Sequence, residues 1–202
     1  MIQPVSPPDR LLRSPLLMNA GQTALLVIDV QDRILTPIPD AQRIVWNCRR
    51  LVDGAGLLGV RAAWTEQSPE KLGGTAATLA QRLQQINAQG PAAKIAFSCG
   101  ECLDLAHRWL DEGRRQVLLA GIETHVCVQQ TALDYIAAGF DVYLAVDAAS
   151  SRHAIDHQTA LRRLESSGVT LTTTEAALCE WTEAAGTPNF KQVSGLLKET
   201  EP

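Results

Sequence analysis

From Thr23 onward, short apolar runs alternate with stretches of helical periodicity, and this alternation limits the possible folds more than any other feature of the chain. TALLVID (23–29), VRAAWT (60–65), AKIAF (93–97), QVLLAG (116–121), DVYLAV (141–146) and VTLTT (169–173) read as strands. Continuous apolar runs of this kind suit strands buried on both faces. After the first strand, Ile44, Cys48, Leu51, Ala55 and Leu58 fall at steps of 4, 3, 4 and 3, one face of a helix that Gly59 closes. Segments 75–86, 101–113, 126–139 and 153–168 read as helices in the later gaps, and 175–185 and 188–199 as terminal helices. Strands with helices in nearly every gap predict an α/β fold: a Rossmann-like three-layer αβα sandwich around a six-stranded parallel sheet. The common doubly wound order, 3-2-1-4-5-6, makes strands one and four neighbours, with ligands bound beyond their carboxyl ends. Residues 1–22 hold three prolines in their first ten positions and no sustained period, so they read as an irregular arm ahead of one domain at 23–202.

Charge and cysteine usage narrow the function classes. Acidic residues number 22 against 18 basic, a net charge of −4, which argues against a nucleic-acid binder. No run reaches the roughly 18 uncharged apolar residues of a membrane span. The odd count of five cysteines is a poor disulfide framework, and no signal peptide is visible, so a reducing, cytoplasmic setting is expected. There, a cysteine is either a small buried hydrophobe or a chemical tool.

The predicted crevice selects which cysteine is the tool. Strand one ends in Asp29, and the segment GIETHVC after strand four delivers Cys127 to the start of the next helix. A helix start lowers a thiol pKa and offers N–H groups to an oxyanion, whereas a facing carboxylate raises the thiol and can act as its base. Lys94, inside AAKIAF, would need a partner if buried and supplies the balancing cation. Each residue also has an ordinary reading: Asp29 as a turn cap, Cys127 as core, Lys94 at an edge with its head in water. Cys48 and Cys179 read as core, and Cys99 and Cys102 as a coincidental CxxC with a dithiol redox role as the alternative. Asp147, Ser150 and Ser151 read as turn and cap chemistry before the helix near His153, and His153 and His157 as a solvated helix face.

The segments LLVIDVQD (25–32), TEQSPEKLG (65–73), AKIAFS (93–98), GIETHVCVQQTALD (121–134) and VDAASSR (146–152) resemble the isochorismatase-like cysteine hydrolases, nearest the isochorismatase-domain-containing branch. The resemblance implies a catalytic triad of Asp29, Lys94 and Cys127. It also implies a non-proline cis peptide at Ile122–Glu123, with the N–H groups of Glu123 and Cys127 as oxyanion hole. The reaction implied is cleavage of a small amide through a thioester on Cys127. Nicotinamidases of the superfamily bind a metal through an Asp and several His near strand two, but here residues 30–106 hold no His, and His107 is the first. No metal and no cofactor are therefore expected. True isochorismatases lack the nucleophilic Cys, which sets isochorismate aside as substrate. Glu66, Gln67, Phe97 and His125 are candidate pocket residues. A homo-oligomer, dimer or tetramer, is expected, with the arm and residues 189–198 as interface candidates. The alternative is a non-catalytic scaffold or binding protein on the same fold.

Overall fold

A computed structural model describes residues 12–201 of the chain. Its strands are β1 (Thr23–Ile28), β2 (Arg61–Gln67), β3 (Gln89–Lys94), β4 (Gln116–Ile122), β5 (Asp141–Ser150) and β6 (Thr170–Thr172). All five pairings are parallel and the order is β3-β2-β1-β4-β5-β6, as the alternation predicts. The helices are α1 (Asp32–Leu35), α2 (Ala41–Leu58), α3 (Pro69–Leu72), α4 (Ala77–Gln85), α5 (Leu103–Asp111), α6 (Gln129–Ala137), α7 (Ala154–Ser166), α8 (Thr174–Thr182) and α9 (Phe190–Leu197). Among the described residues no helix is long and apolar enough to cross a membrane.

The period-2 geometry of β1 explains the two layers. Leu25 and Val27 pack against Ile44, Cys48, Leu51 and Ala55 of α2, while Leu26 and Ile28 face the side of Trp109 on α5 and Tyr135 on α6. Each such Leu, Val or Ile gains about 1.5–3 kcal/mol on full burial. The central strands β1 and β4 are buried at every position. Gly121 lets them approach: its φ is +122°, and a Cβ there would lie 2.7 Å from the Ile28 nitrogen and closer still to the Ile28 carbonyl oxygen.

Several boundaries depart from the sequence reading. β3 covers 89–94 rather than 93–97 and begins across a cis Gly90–Pro91 bond. As an edge strand paired only with β2, it tolerates a proline that a central strand would not. Ile95 and Phe97 then fall in the loop beyond it, 79% and 54% exposed. β5 runs on to Ser150, because a register shift lets Ala149 and Ser150 pair with Gly121 and Ile122; the polar DAASS had read as a turn. The segment read as one helix over 126–139 is a π-helical turn at Thr124–Val128 leading into α6. The final helices are shorter than read, α8 ending where Glu183 turns to φ +64°. Cys179 is exposed rather than core: it sits on α8 opposite the face that buries Ala177, Leu178 and Trp181.

Of the N-terminal arm, residues 1–11 lie outside the described residues. The remainder is tied to the body. Met18 is fully buried and its N–H donates to Glu180 Oε2 at 2.7 Å, while Tyr143 donates to the Leu16 carbonyl at 3.0 Å. On the same layer, Asn189 at the start of α9 donates to the Leu57 carbonyl at 2.7 Å, and Val193 and Leu196 spend the helix's apolar face inside the chain.

Candidate active site

Three elements end at one crevice. β1 runs into Asp29, β3 ends in Lys94, and the turn after β4 carries Cys127. Asp29 is fully buried and adopts φ +52°. Its two carboxylate oxygens are separately occupied: Oδ1 accepts from the Thr65 hydroxyl at 2.8 Å, and Oδ2 from Lys94 Nζ at 2.7 Å. Both side chains of the ion pair are 0% exposed. The ammonium also donates to Gln67 Oε1 at 2.7 Å and the Phe97 carbonyl at 3.0 Å, so its three protons have acceptors. Burial is the largest single influence on the Lys94 pKa and pulls it down, but the charge and hydrogen bond of Asp29 together with the neighbouring Cys127 and Cys99 outweigh it, and the net shift is upward. Lys94 thus remains an ammonium, and the edge-strand reading with its head in water does not apply.

Cys127 is 6% exposed at the floor of a cavity of about 260 Å³. Burial first, and then the Asp29 carboxylate, push its thiol well above the ordinary range, while Lys94 pulls it down. The resting group is therefore a neutral thiol. Desolvation dominates here over any acidifying effect of the helix start. The reactive species must come from proton transfer within the site.

Gln67, Phe97, Glu123 and Cys127 line one cavity. Ile122–Glu123 is cis. Two candidate pocket residues are placed elsewhere. Glu66 Oε1 accepts from the Thr75 N–H at 2.7 Å and the Thr75 hydroxyl at 2.8 Å, so it secures the loop after α3 instead of lining the cavity. His125 turns away from it as well, its Nδ1 lying 3.0 Å from the Ser151 hydroxyl. His157 is half-buried, 3.0 Å from the Thr124 hydroxyl, and so braces the π turn rather than forming a solvated face. Asp147 caps α8, accepting from the Thr174 N–H at 2.8 Å, not the helix near His153. Ser150 donates to Asp40 at 2.7 Å.

Some site residues escaped the sequence reading. Thr65 had looked like the end of a strand, yet its hydroxyl fixes Asp29. Gln31 donates to the Gln67 and Gly73 carbonyls and accepts from the Gln67 N–H at 2.7 Å, clamping the end of β2. The Gln of VIDVQ was the available signal. Arg33 and Arg152 line the cavity; Arg152 ends the segment VDAASSR, whereas nothing in its local pattern marked Arg33. Cys99 lies behind Thr65 with its sulfur 3.6 Å from that hydroxyl, and burial, then Asp29, push its thiol up to about 12. A thiol so deactivated is unsuited to dithiol exchange, and Cys99 and Cys102 are both free.

Comparison with known proteins agrees with this architecture. The Isochorismatase domain family matches residues 23–176. Isochorismatase domain-containing protein 1 of Danio rerio is 36% identical over 190 residues, 92% of this chain and 64% of that protein. The chain therefore spans under two thirds of that relative's length. Isochorismatase domain-containing protein 2A of Mus musculus is 37% identical over 183 residues, 88% of this chain and 84% of the relative. The structure of MAR1 ribonuclease from Caenorhabditis elegans superposes with a TM-score of 0.84 at 34% identity, covering 92% of this chain and 94% of that one. The chain belongs to the isochorismatase-domain family.

Proposed function

We propose that the protein is a metal-independent cysteine hydrolase that cleaves the C–N bond of a small amide-type substrate. The observation that carries this reading is the fully buried Asp29–Lys94 pair facing the Cys127 thiol at the carboxyl ends of β1 and β4. A buried ion pair is expensive to desolvate and gives weak support to stability. A scaffold or binding protein has no need of one pointed at a thiol.

Asp29 takes the thiol proton as the Cys127 sulfur attacks the substrate carbonyl carbon. The tetrahedral oxyanion rests on the backbone N–H groups of Glu123 and Cys127. The C–N bond then breaks, and Asp29 returns the proton to the departing amine. In the second half, Asp29 removes a proton from water, hydroxide attacks the thioester, and the thiolate leaves to recover its proton. Lys94 pairs with Asp29 and offsets the negative charge passing between carboxylate and sulfur. A raised resting thiol pKa fits this scheme, because base and nucleophile exchange one proton without a standing thiolate. No cofactor enters.

The small cavity suits a small molecule. A net charge of −4 offers little counterion-release affinity for a phosphate backbone, so no nucleic-acid partner is proposed, although the nematode relative is called a ribonuclease. We place the protein in the cytoplasm, where its five free thiols would stay reduced, and as a homo-oligomer. The test is a panel of small amides and carbamates assayed with wild type and Cys127→Ala. Turnover that vanishes in the variant supports the reading; turnover surviving Cys127→Ala refutes it.

A further inference from the structure

The cavity above Cys127 carries one positive charge that the protein itself does not balance. Its charged lining residues are Arg33, Glu123 and Arg152. Arg152 donates from Nε and from its backbone N–H to Glu123 Oε1, at 3.0 and 3.1 Å, so those two charges cancel. Behind the floor, Asp29 and Lys94 cancel as well. Arg33, on α1, pairs with no carboxylate among the described residues. Its side chain donates to the backbone carbonyl of Lys71 on α3, a neutral acceptor. That bond ties down one edge of the guanidinium and leaves further N–H groups of the fork unused.

The walls around this charge are apolar: Ile34, Pro37, Leu72, Ile122 and Val126. Arg33 is itself exposed to solvent, so these walls strengthen its hold on an incoming anion only on the cavity side. From the Arg33 guanidinium and the balanced Arg152–Glu123 pair at one cavity, we infer that the substrate is a monoanion. Its carboxylate is held by Arg33 while its scissile carbonyl lies against Cys127. The planar fork matches a carboxylate edge to edge. One uncompensated positive charge matches one negative charge, whereas a phosphate monoester would bring close to two. At about 260 Å³ the cavity falls below the range typical of drug-sized ligands, so the chemical class is a short-chain dicarboxylic acid monoamide. This inference rests on the hydrolase reading for the role of Cys127, but the anion site can be measured without turnover.

The experiment titrates Cys127→Ala protein calorimetrically with malonamate, succinamate and glutaramate, and with neutral butyramide. It is repeated with Arg33→Gln and Arg33→Lys added. At least one monoamide should bind about ten- to hundredfold more tightly than butyramide. Arg33→Gln should abolish that advantage and Arg33→Lys should keep part of it, with butyramide binding changing far less than monoamide binding. Arg152→Gln should likewise reduce the monoamide advantage, since it leaves the Glu123 carboxylate unbalanced in the same cavity. If no monoamide outbinds butyramide, including the case of no binding at all, the inference is overturned; so it is if the preference survives Arg33→Gln. Arg33-dependent binding without Cys127-dependent turnover in the wild type would leave the anion site standing and remove the hydrolase reading. Turnover of neutral amides with no anion preference would do the reverse.

Discussion

Asp29 has both carboxylate oxygens occupied at rest, by Thr65 and Lys94, and in the proposed mechanism it must also receive a proton from Cys127. The effect of the carboxylate on the thiol is therefore the residue-scale quantity to measure. In wild type, burial and Asp29 raise the Cys127 pKa and Lys94 lowers it. Asp29→Asn deletes one raising influence and leaves burial opposed by Lys94, so the thiol pKa falls from its wild-type value while staying raised. Iodoacetamide should then label Cys127 faster at neutral pH than in wild type, while amide turnover drops by about 10²–10⁴-fold for loss of the base. Lys94→Met should move labelling the other way. An unchanged labelling rate in Asp29→Asn would show that the carboxylate does not face the thiol. The pair also makes a stability prediction. Losing one partner strands a buried charge, so Lys94→Met should cost about 3–5 kcal/mol in urea unfolding. The double variant Asp29→Leu, Lys94→Met should recover most of that stability while remaining inactive. Equal stability of the single and double variants would contradict it.

At the scale of elements, the crevice depends on how closely β1 and β4 approach where they end. Gly121→Ala places a Cβ against the Ile28 backbone in a positive-φ position, and should lower stability by about 1–3 kcal/mol or more and impair turnover together. A calorimetric midpoint matching wild type would contradict this. The π turn that carries Cys127 is braced from α7 through His157 and Thr124. Burial, then Arg43, lower the His157 pKa below its ordinary 6.5. The native state thus prefers neutral His157, and the unfolded chain binds the extra proton as pH falls below 6.5, so stability is lost in that direction. His157→Gln should flatten the decline in thermal midpoint on acidification; an unchanged slope would show that the imidazole is not linked to folding.

These two elements also mark the limit of what the sequence carries. The helices after β1 and the buried runs of β1 and β4 are legible, because apolar spacing records burial directly: Ile44, Cys48, Leu51 and Ala55 are all at 0% exposure. The π turn, the continuation of β5 and the early start of β3 are not, since each is settled by pairing with a neighbour rather than by its own pattern. The same holds for the site. Asp29, Lys94 and Cys127 stand at strand ends and can be found from topology. Thr65 and Arg33 act through partners distant in sequence, and Glu66 and His125, polar and near the motif, are turned to Thr75 and Ser151.

For the whole molecule, the sheet order and the two apolar layers follow from the alternation of runs, but assembly does not. α9 spends its apolar face on its own chain, whereas Ile95, Phe97 and Leu103 stay 79%, 54% and 59% exposed in one segment beside the cavity. Such apolar side chains fit an interface. Sedimentation equilibrium should show a dimer or tetramer that Phe97→Asp weakens, and a wild-type monomer at micromolar concentration would contradict the oligomer. Everything proposed for the site turns on the covalent step at Cys127. The most direct measurement is intact-protein mass spectrometry of acid-quenched reactions, with peptide mapping, on a turned-over amide. The expected result is a transient mass increase equal to the acyl group, located on Cys127 and absent from Cys127→Ser in thioester form. Steady turnover with no adduct on Cys127 at any quench time, and undiminished turnover in Cys127→Ala, would contradict it.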